Sequence, residues 1–458
     1  MSVVESLDPY TPGHGSADYQ VAHYELDLDC RLASNRLIAK AVISATSRVK
    51  LKTLRFSLAG LKVGKVSVKS GGKNLKIAKY SHRAEQLLIE LAEPLSKDKK
   101  FSTEIRYEGN PAPTIGLWGD VGWEELADGV LVAGQPTGAP SWFPCNDHPS
   151  QKASYRITIS TDANYRPVCN GTLISRTTKA SRETWVYEQP EPMASYLATV
   201  QIGRYELLPL EDQPRGSHRA EQAAQAESPV PLAIAVPASL RATALRGLAQ
   251  QRAMMDTFEY CFGRYPFAAY TVVITEDELD IPLEAQSLSI IGRNHLDLSW
   301  EAQRLVAHEL SHQWFGNSLT LARWEDIWLH EGFACYAEWI WSEASGTMPI
   351  ERRAGLAHRM LAGQPQDLVI GAPGPELMFD DRVYKRGALA VHALRQAVGE
   401  QNFFPLLREW NSRFRHGSVR TADLLALAEE MVPGCQAASV LQPWLYQAEL
   451  PAKAPQGA

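Results

Sequence analysis

Residues 308–317, HELSHQWFGN, place two histidines four positions apart, with a glutamate directly after the first. In an α-helix four residues advance about 400° and roughly 6 Å, so His308 and His312 project from one face on successive turns. Two imidazoles in this arrangement can bind one metal ion. Glu309 lies on the adjoining flank, where it can reach a metal-bound water and act as a general base. The alternative is a helix whose two histidines are structural.

The motif needs a third ligand, because a catalytic zinc takes three protein ligands and keeps its fourth position for water. Residues 324–341, WEDIWLHEGFACYAEWIW, supply Glu331, and eighteen residues separate it from His312. This spacing predicts that the first helix ends near Gly316 and that a second helix packs on it, with Glu331 facing the histidines. Two nitrogens and one oxygen favour Zn²⁺ over Ca²⁺ or Mg²⁺.

Glu338 follows Glu331 by seven residues, which places it on the same face of the second helix. It is either a partner that orients a metal ligand or a surface carboxylate. The sequence therefore predicts one zinc ion per chain, held by His308, His312 and Glu331.

Composition indicates a folded protein with small partners. The 458 residues fit two or three domains, and 45% hydrophobic with 21% charged residues is typical of globular chains. A net charge of −6 does not indicate nucleic acid, and no apolar run reaches the roughly 18 residues of a membrane span. Six scattered cysteines and an N-terminus without a signal-peptide pattern predict a cytoplasmic location.

The two halves of the chain differ in hydrophobic period. From about Tyr19 to Tyr205 the pattern is mainly period two, broken by turns such as Ser70-Gly71-Gly72, and predicts β-sheets. Beyond a polar stretch at 212–229, apolar residues recur every three or four positions, as in 242–263, and predict helices. We predict a β domain over 1–203, followed by a helical domain over 204–458.

Several segments together resemble the gluzincin aminopeptidases, the family of aminopeptidase N and leukotriene hydrolase. They are QPTGAPSWFPCNDHPSQKASY, HELSHQWFGN, WEDIWLHEGFACYAEW, YKRGALAVHALR and PWLYQAELP, in the family's order. The resemblance implies an α+β multidomain fold, with an N-terminal β-sandwich or saddle domain before a mainly helical, thermolysin-like catalytic domain. It further implies a short form without the family's C-terminal helical domain, and so a more open site.

The resemblance also assigns roles that the spacing does not. Tyr384 matches the tyrosine that donates to the oxyanion. Glu284 matches the glutamate that binds the substrate's α-amine, and Gln135 lies in a second substrate-binding segment. The chain departs from the family's G-x-M-E-N and Q-x-E patterns around these two positions. The departing residues are Ile281, Pro282, Ala285 and Thr137.

The predicted function is that of a zinc-dependent aminopeptidase that removes the N-terminal residue from peptides with a free N-terminus. One alternative keeps the zinc and changes the reaction to that of an epoxide hydrolase or an endopeptidase. Another is a non-catalytic adaptor with the same fold. Neither a nucleic acid nor a membrane is an expected partner. The sequence does not indicate the preferred N-terminal residue or the oligomeric state.

Overall fold

The computed structural model describes residues 7–210 and 229–452, which divide into two compact units. Unit 1 holds residues 7–209, 231–242 and 267–293, and unit 2 holds the rest. Strands dominate unit 1 and helices dominate unit 2, so the predicted α+β class is confirmed. The predicted domain boundary at 203/204 stays a prediction. The polar stretch 212–229 lies outside the described residues except for Pro229.

The strands of unit 1 are β1 (Tyr19–Arg31), β2 (Arg36–Ser47), β3 (Leu51–Ser57), β4 (Lys62–Ser70), β5 (Lys73–Leu75), β6 (Ile77–Arg83), β7 (Gln86–Leu95), β8 (Lys100–Gly109), β9 (Thr114–Gly116), β10 (Gly119–Leu126), β11 (Gly129–Ala133), β12 (Ala153–Asp162), β13 (Arg166–Cys169), β14 (Thr172–Lys179), β15 (Arg182–Met193), β16 (Val200–Gly203), β17 (Tyr205–Pro209), β18 (Leu232–Pro237), β19 (Tyr270–Thr275), β20 (Leu283–Ala285) and β21 (Leu288–Gly292). Their largest sheet has the order β14-β15-β12-β1-β2-β8-β4-β5. Two five-stranded sheets have the orders β13-β16-β11-β10-β9 and β17-β18-β19-β21-β20, and a smaller sheet is β3-β7-β6.

The period-two pattern appears in these sheets as alternating burial. Along β1, buried side chains alternate with partly buried ones, and the strand pairs antiparallel with β2 and parallel with β12. Gly71 and Gly72 form the predicted turn between β4 and β5, with φ of +55° and +77°. A two-residue hairpin loop of this kind needs positive φ at both positions, which glycine adopts without steric cost.

A buried asparagine fixes the edge of the sheet that ends in β20. Asn170 donates from Nδ2 to the Leu197 and Gln286 carbonyls, at 2.9 and 2.8 Å, and its Oδ1 accepts from the Thr199 amide at 2.6 Å. Next to it, the Gly171 amide donates to Ser287 Oγ at 3.0 Å. The β20–β21 turn is thereby tied to the end of β13.

The helices are α1 (Arg241–Gly247), α2 (Gln251–Phe262), α3 (Trp300–Ser311), α4 (Trp328–Ala344), α5 (Ile350–Ala362), α6 (Asp381–Val398), α7 (Glu400–Arg413), α8 (Thr421–Met431) and α9 (Ala437–Tyr446). Two short strands, β22 (Thr320–Leu321) and β23 (Ser418–Val419), pair in unit 2. None of the helices in the described ranges combines the length and the apolarity needed to cross a membrane.

Residues 242–263, for which the pattern predicts helix, form parts of two helices, because the helix is interrupted after Gly247. The Gly247 carbonyl accepts a hydrogen bond from Gln303 Nε2 at 2.8 Å. A Cβ atom at Gly247 would lie 3.1 Å from the backbone of Leu296. Glycine at position 247 therefore allows this close approach to Leu296. A larger residue there, in a continuous helix, would not.

We expect Asn170→Ala to lower the free energy of unfolding of unit 1 by about 2–4 kcal/mol, because it leaves buried backbone groups without partners. Urea unfolding followed by far-ultraviolet circular dichroism measures the change. Asn74, which is exposed on β5, is the matched control, and Asn74→Ala should have almost no effect. Equal stability of the two variants would contradict the role of Asn170.

Candidate metal centre

Helix α3 carries the two histidines of the opening motif. Its N-cap is Ser299, whose side chain accepts from the Ala302 amide at 3.2 Å. The prediction that the helix extends to near Gly316 is wrong, because α3 ends at Ser311. His312 nevertheless keeps helical dihedral angles, and its amide donates to the His308 carbonyl at 3.2 Å. The two imidazoles therefore still stand one turn apart.

Helix α4 brings Glu331 to both histidines from its first turn. Glu331 Oε2 lies 3.4 Å from His308 Nε2 and 3.6 Å from His312 Nε2. All three side chains are buried. The structure thus brings together the three residues that were predicted as metal ligands.

The other ring nitrogen of each histidine is occupied. Nδ1 of His308 lies 2.8 Å from Glu338 Oε1, and Nδ1 of His312 lies 3.0 Å from the Phe315 carbonyl. Both partners accept hydrogen bonds, so each Nδ1 carries a proton. Both Nε2 atoms face Glu331. Burial lowers the pKa of His312 to about 4, so its Nε2 keeps its lone pair. Burial also lowers the pKa of His308, but Glu331 and Glu338 outweigh this effect and raise it to about 10, so a metal ion at this nitrogen would replace a proton.

These donor atoms fit a tetrahedral zinc ion. Zinc–ligand bonds of about 2.0–2.2 Å place neighbouring ligand atoms about 3.3–3.6 Å apart. The two nitrogen–oxygen distances, 3.4 and 3.6 Å, fall in this range, and all three ligand atoms lie within 4.8 Å of one another. Three protein ligands leave one position for water or substrate, as in catalytic sites.

Glu309 lies beside these ligands with an unsatisfied oxygen. Its side chain is buried, and in the described part of the chain its Oε2 has no hydrogen-bond partner. One ligand atom of Glu309 lies within 4.8 Å of one of His312. Burial raises the pKa of Glu309 to about 7. A carboxylate of this kind is suited to accept and return a proton near neutral pH.

Glu338 is a buried partner of His308, so the alternative of a surface carboxylate is excluded. Its second oxygen lies 3.6 Å from Arg304 Nη1. Burial raises the pKa of Glu338, but Lys385, His308 and Arg304 outweigh this effect and lower it to about 2. Glu338 is therefore an anion that orients His308. The sequence did not indicate a role for Arg304 or Lys385. Arg304 precedes His308 by four residues, and Lys385 directly follows Tyr384.

Helix α6 brings Tyr384 to the predicted metal ligands. The helix starts at the N-cap Asp380, whose side chain accepts from the Arg382 amide at 2.9 Å. The ring of Tyr384 stacks on that of His308, with 6.0 Å between the centroids and 20° between the planes. Tyr384, which only the family resemblance indicated, thus lies next to the predicted metal ligand His308.

Helices α4 and α6 cross at two glycines. A Cβ atom on Gly332 would lie 2.8 Å from the backbone of Gly387, and a Cβ on Gly387 would lie 2.8 Å from Gly332 Cα. Real Cβ atoms do not come so close to a backbone, so both positions require glycine. Gly332 follows Glu331 directly, and Gly387 lies three residues after Tyr384, so the crossing sets the distance between these two side chains.

The two predicted substrate-binding residues lie in unit 1. Glu284 is the central residue of the edge strand β20, is half-buried and pairs with Ser289. Gln135 lies in the loop after β11, and its buried Nε2 has no hydrogen-bond partner among the described residues. Their roles in substrate binding stay predictions.

Two family models match the chain. The peptidase family M1 domain matches residues 247–444, and the peptidase M1 N-terminal domain matches residues 20–197. Among curated relatives, aminopeptidase N of Haemonchus contortus is 24% identical over 86% of this chain and 42% of its own length. Leucyl aminopeptidase of Saccharolobus solfataricus is 22% identical over 87% of this chain and 50% of its own length. The chain spans about half the length of these relatives.

Solved structures match over nearly the whole chain. An M1 zinc metallopeptidase from Deinococcus radiodurans is 27% identical, with a TM-score of 0.85 over 98% of this chain and 99% of the other. A mutant of the Deinococcus enzyme bound to a Tyr-Ser-Ala substrate is 26% identical, with a TM-score of 0.86 and the same coverage. A two-domain M1 zinc metallopeptidase mutant bound to L-arginine is 27% identical, with a TM-score of 0.86.

His308→Ala should abolish stoichiometric zinc binding, because it removes one of three ligands. Glu338→Gln should weaken zinc binding by about 10- to 100-fold, because a neutral amide orients His308 less strongly than a carboxylate. Elemental analysis after dialysis against graded concentrations of a zinc chelator measures both effects. Exposed Glu376 provides the control Glu376→Gln, which should bind zinc as the wild type does. Full zinc retention by His308→Ala would contradict the ligand assignment.

Gly332→Ala should destabilise unit 2 by about 1–3 kcal/mol, because the added methyl group forces α4 and α6 apart. Differential scanning calorimetry measures this change. The matched control is Gly363→Ala, where a Cβ would meet its nearest neighbour at an ordinary 3.5 Å. If both variants unfold at the temperature of the wild type, the crossing does not require glycine.

Proposed function

Because this chain belongs to peptidase family M1, we propose that it is a zinc-dependent aminopeptidase, which hydrolyses the N-terminal residue from peptides. One observation carries the proposal. Glu309 Oε2, which has no hydrogen-bond partner among the described residues, lies beside three buried ligand atoms with the spacing of a zinc site. That combination supports hydrolysis by an activated water.

One zinc ion per chain would be held by His308, His312 and Glu331. When bound, zinc supplies Lewis acidity, which polarises the scissile carbonyl and lowers the pKa of a water molecule. Glu338 keeps His308 in the required tautomer through the 2.8 Å contact with Nδ1. The backbone carbonyl of Phe315 does the same for His312.

Glu309 acts as the general base and then as the general acid. Its Oε2 accepts a proton from the attacking water, and the same carboxyl group returns that proton to the leaving amine. The Glu309 pKa of about 7, raised by burial, suits both transfers. Tyr384 donates from its hydroxyl group to the carbonyl oxygen as that oxygen gains negative charge. Its ring position over His308 supports this role.

Glu284 binds the free α-amine of the substrate, and Gln135 contributes to the same recognition. The ligands of the similar solved structures support this proposal, because L-arginine and Tyr-Ser-Ala are compounds with a free α-amine. The substitutions around Glu284 leave fewer groups for the amine than the family pattern provides. That departure favours the endopeptidase and epoxide hydrolase alternatives as second candidates.

We place the protein in the cytoplasm. The six cysteines all lie within the described residues and form no disulfide bond there, and five of them are buried, which suits a reducing compartment. Peptides with a free N-terminus are the proposed substrates.

The deciding experiment measures hydrolysis of a panel of fluorogenic aminoacyl amides, each with a free and an N-acetylated amine. The wild type should cleave only the free-amine substrates. Glu309→Gln should lower kcat by roughly 10²- to 10⁴-fold because the general base is lost, while elemental analysis shows retained zinc. Glu376→Gln serves as the control for an exposed glutamate and should match the wild type.

Each other result of this experiment favours a different reading. Equal cleavage of acetylated substrates would reject the aminopeptidase in favour of an endopeptidase. If no amide were cleaved but an epoxide tested beside the panel were hydrolysed, the epoxide hydrolase would replace it. Bound zinc without any hydrolysis would favour the adaptor. Normal turnover by Glu309→Gln would overturn the assignment of the base.

A further inference from the structure

Arg386 is a buried cation on the helix that carries Tyr384. Arg386 is 4% exposed, and within the described ranges its guanidinium group donates only to backbone carbonyls. The acceptors are the carbonyls of Trp444 (2.7 Å, from Nε), Ala448 (2.7 Å) and Leu368 (3.4 Å) from Nη1, and Pro443 (2.9 Å), Glu449 (3.1 Å) and Gln447 from Nη2. We call the acceptors over 443–449 the carbonyl cage.

The cage surrounds the charge of Arg386 with the partially negative oxygens of carbonyl groups. Burial lowers the pKa of Arg386 to about 10, so the group stays protonated at neutral pH. Pro443 and Trp444 lie in the last turn of α9, where carbonyls lack partners within the helix and the helix dipole is negative. The guanidinium group satisfies these carbonyls.

The cage is itself fixed to other parts of unit 2. The Leu445 carbonyl accepts from the Gly371 amide at 2.8 Å. The Leu450 amide donates to Gln366 Oε1, also at 2.8 Å. His358 Nε2 lies 2.8 Å from the Pro451 carbonyl. Contacts on both sides thus hold the cage in place, so Arg386 links α6 to a fixed support.

Arg386 and Tyr384 lie on opposite sides of α6. Two residues turn an α-helix by about 200° and advance it by about 3 Å. The Tyr384 ring faces His308, whereas Arg386 reaches the carbonyl cage. Any rotation or shift of α6 that breaks the contacts of Arg386 therefore moves the hydroxyl group of Tyr384.

We propose that Arg386 is a positioning residue, which fixes Tyr384 for catalysis by anchoring α6 to the carbonyl cage. The inference rests on the proposed function, in which Tyr384 stabilises the developing oxyanion. A displacement of about 1 Å at a catalytic group can cost roughly 100-fold in rate. Lysine cannot replace Arg386, because three donors on one nitrogen do not match a planar set of five.

The first test compares Arg386→Lys with the wild type on the free-amine substrate that the wild type cleaves best. We expect kcat to fall by about 10- to 100-fold, with KM changed by less than about threefold and zinc content unchanged. Arg359→Lys, an exposed arginine on α5, is the matched control and should keep full activity. Unchanged kcat in Arg386→Lys would overturn the inference.

A double-mutant cycle separates positioning from general destabilisation. If Arg386 acts through the Tyr384 hydroxyl group, Arg386→Lys should lower kcat by less than about threefold in a Tyr384→Phe background. An equal loss in both backgrounds would show that Arg386 acts independently of Tyr384. Gln366→Ala, at an exposed position that contacts Leu450, should give a smaller loss of kcat with the same dependence on Tyr384.

Hydrogen–deuterium exchange gives a readout that does not depend on activity. Arg386→Lys and Gln366→Ala should accelerate exchange in residues 381–389, and Arg359→Lys should not. Wild-type protein that cleaves no substrate would reject the proposed function, and exchange would still test the anchoring. Unchanged exchange in both variants would reject the anchoring whatever the activity.

Discussion

The metal centre depends on the close crossing of α4 and α6 at Gly332 and Gly387. With only hydrogen atoms between the two backbones, α4 presents Glu331 and α6 presents Tyr384 to the same histidine. A larger residue at either position would separate the helices at the level of the site. The α3 histidines provide two ligand atoms and Glu331 of α4 provides the third, and the crossing places Tyr384 of α6 beside them.

Charge balance is the second requirement of this site. Three carboxylates, those of Glu309, Glu331 and Glu338, are buried around two histidines. Glu338 is kept ionised by neighbouring cations, among them Lys385 from α6. Burial, with the nearby charges of Glu331 and Glu338, raises the pKa of Glu309, and the opposing effect of His308 does not offset it. The same type of side chain is thus a fixed anion at one position and, in the proposed mechanism, a proton carrier at another, because the neighbouring charges differ.

The sequence predicted those parts of the site that depend on local spacing. Four residues on a helix place His308 and His312 together, and the eighteen-residue separation leaves room for a second helix with Glu331. Tyr384 came only from family resemblance, because its approach depends on how α6 packs. Lys385 and Arg386 were not predicted, for the same reason. The early end of α3 and the break after Gly247 depend on hydrogen bonds and contacts between segments, which hydrophobic periodicity does not reveal.

The carbonyl cage has a consequence for how the family's sequences can diverge. Every contact that it offers Arg386 comes from the main chain, so the side chains over 443–449 can drift while the acceptors remain. Arg386 therefore constrains the backbone path of this segment and not the identity of its side chains. The likeness of PWLYQAELP to the family's segment must then come from contacts other than those with Arg386.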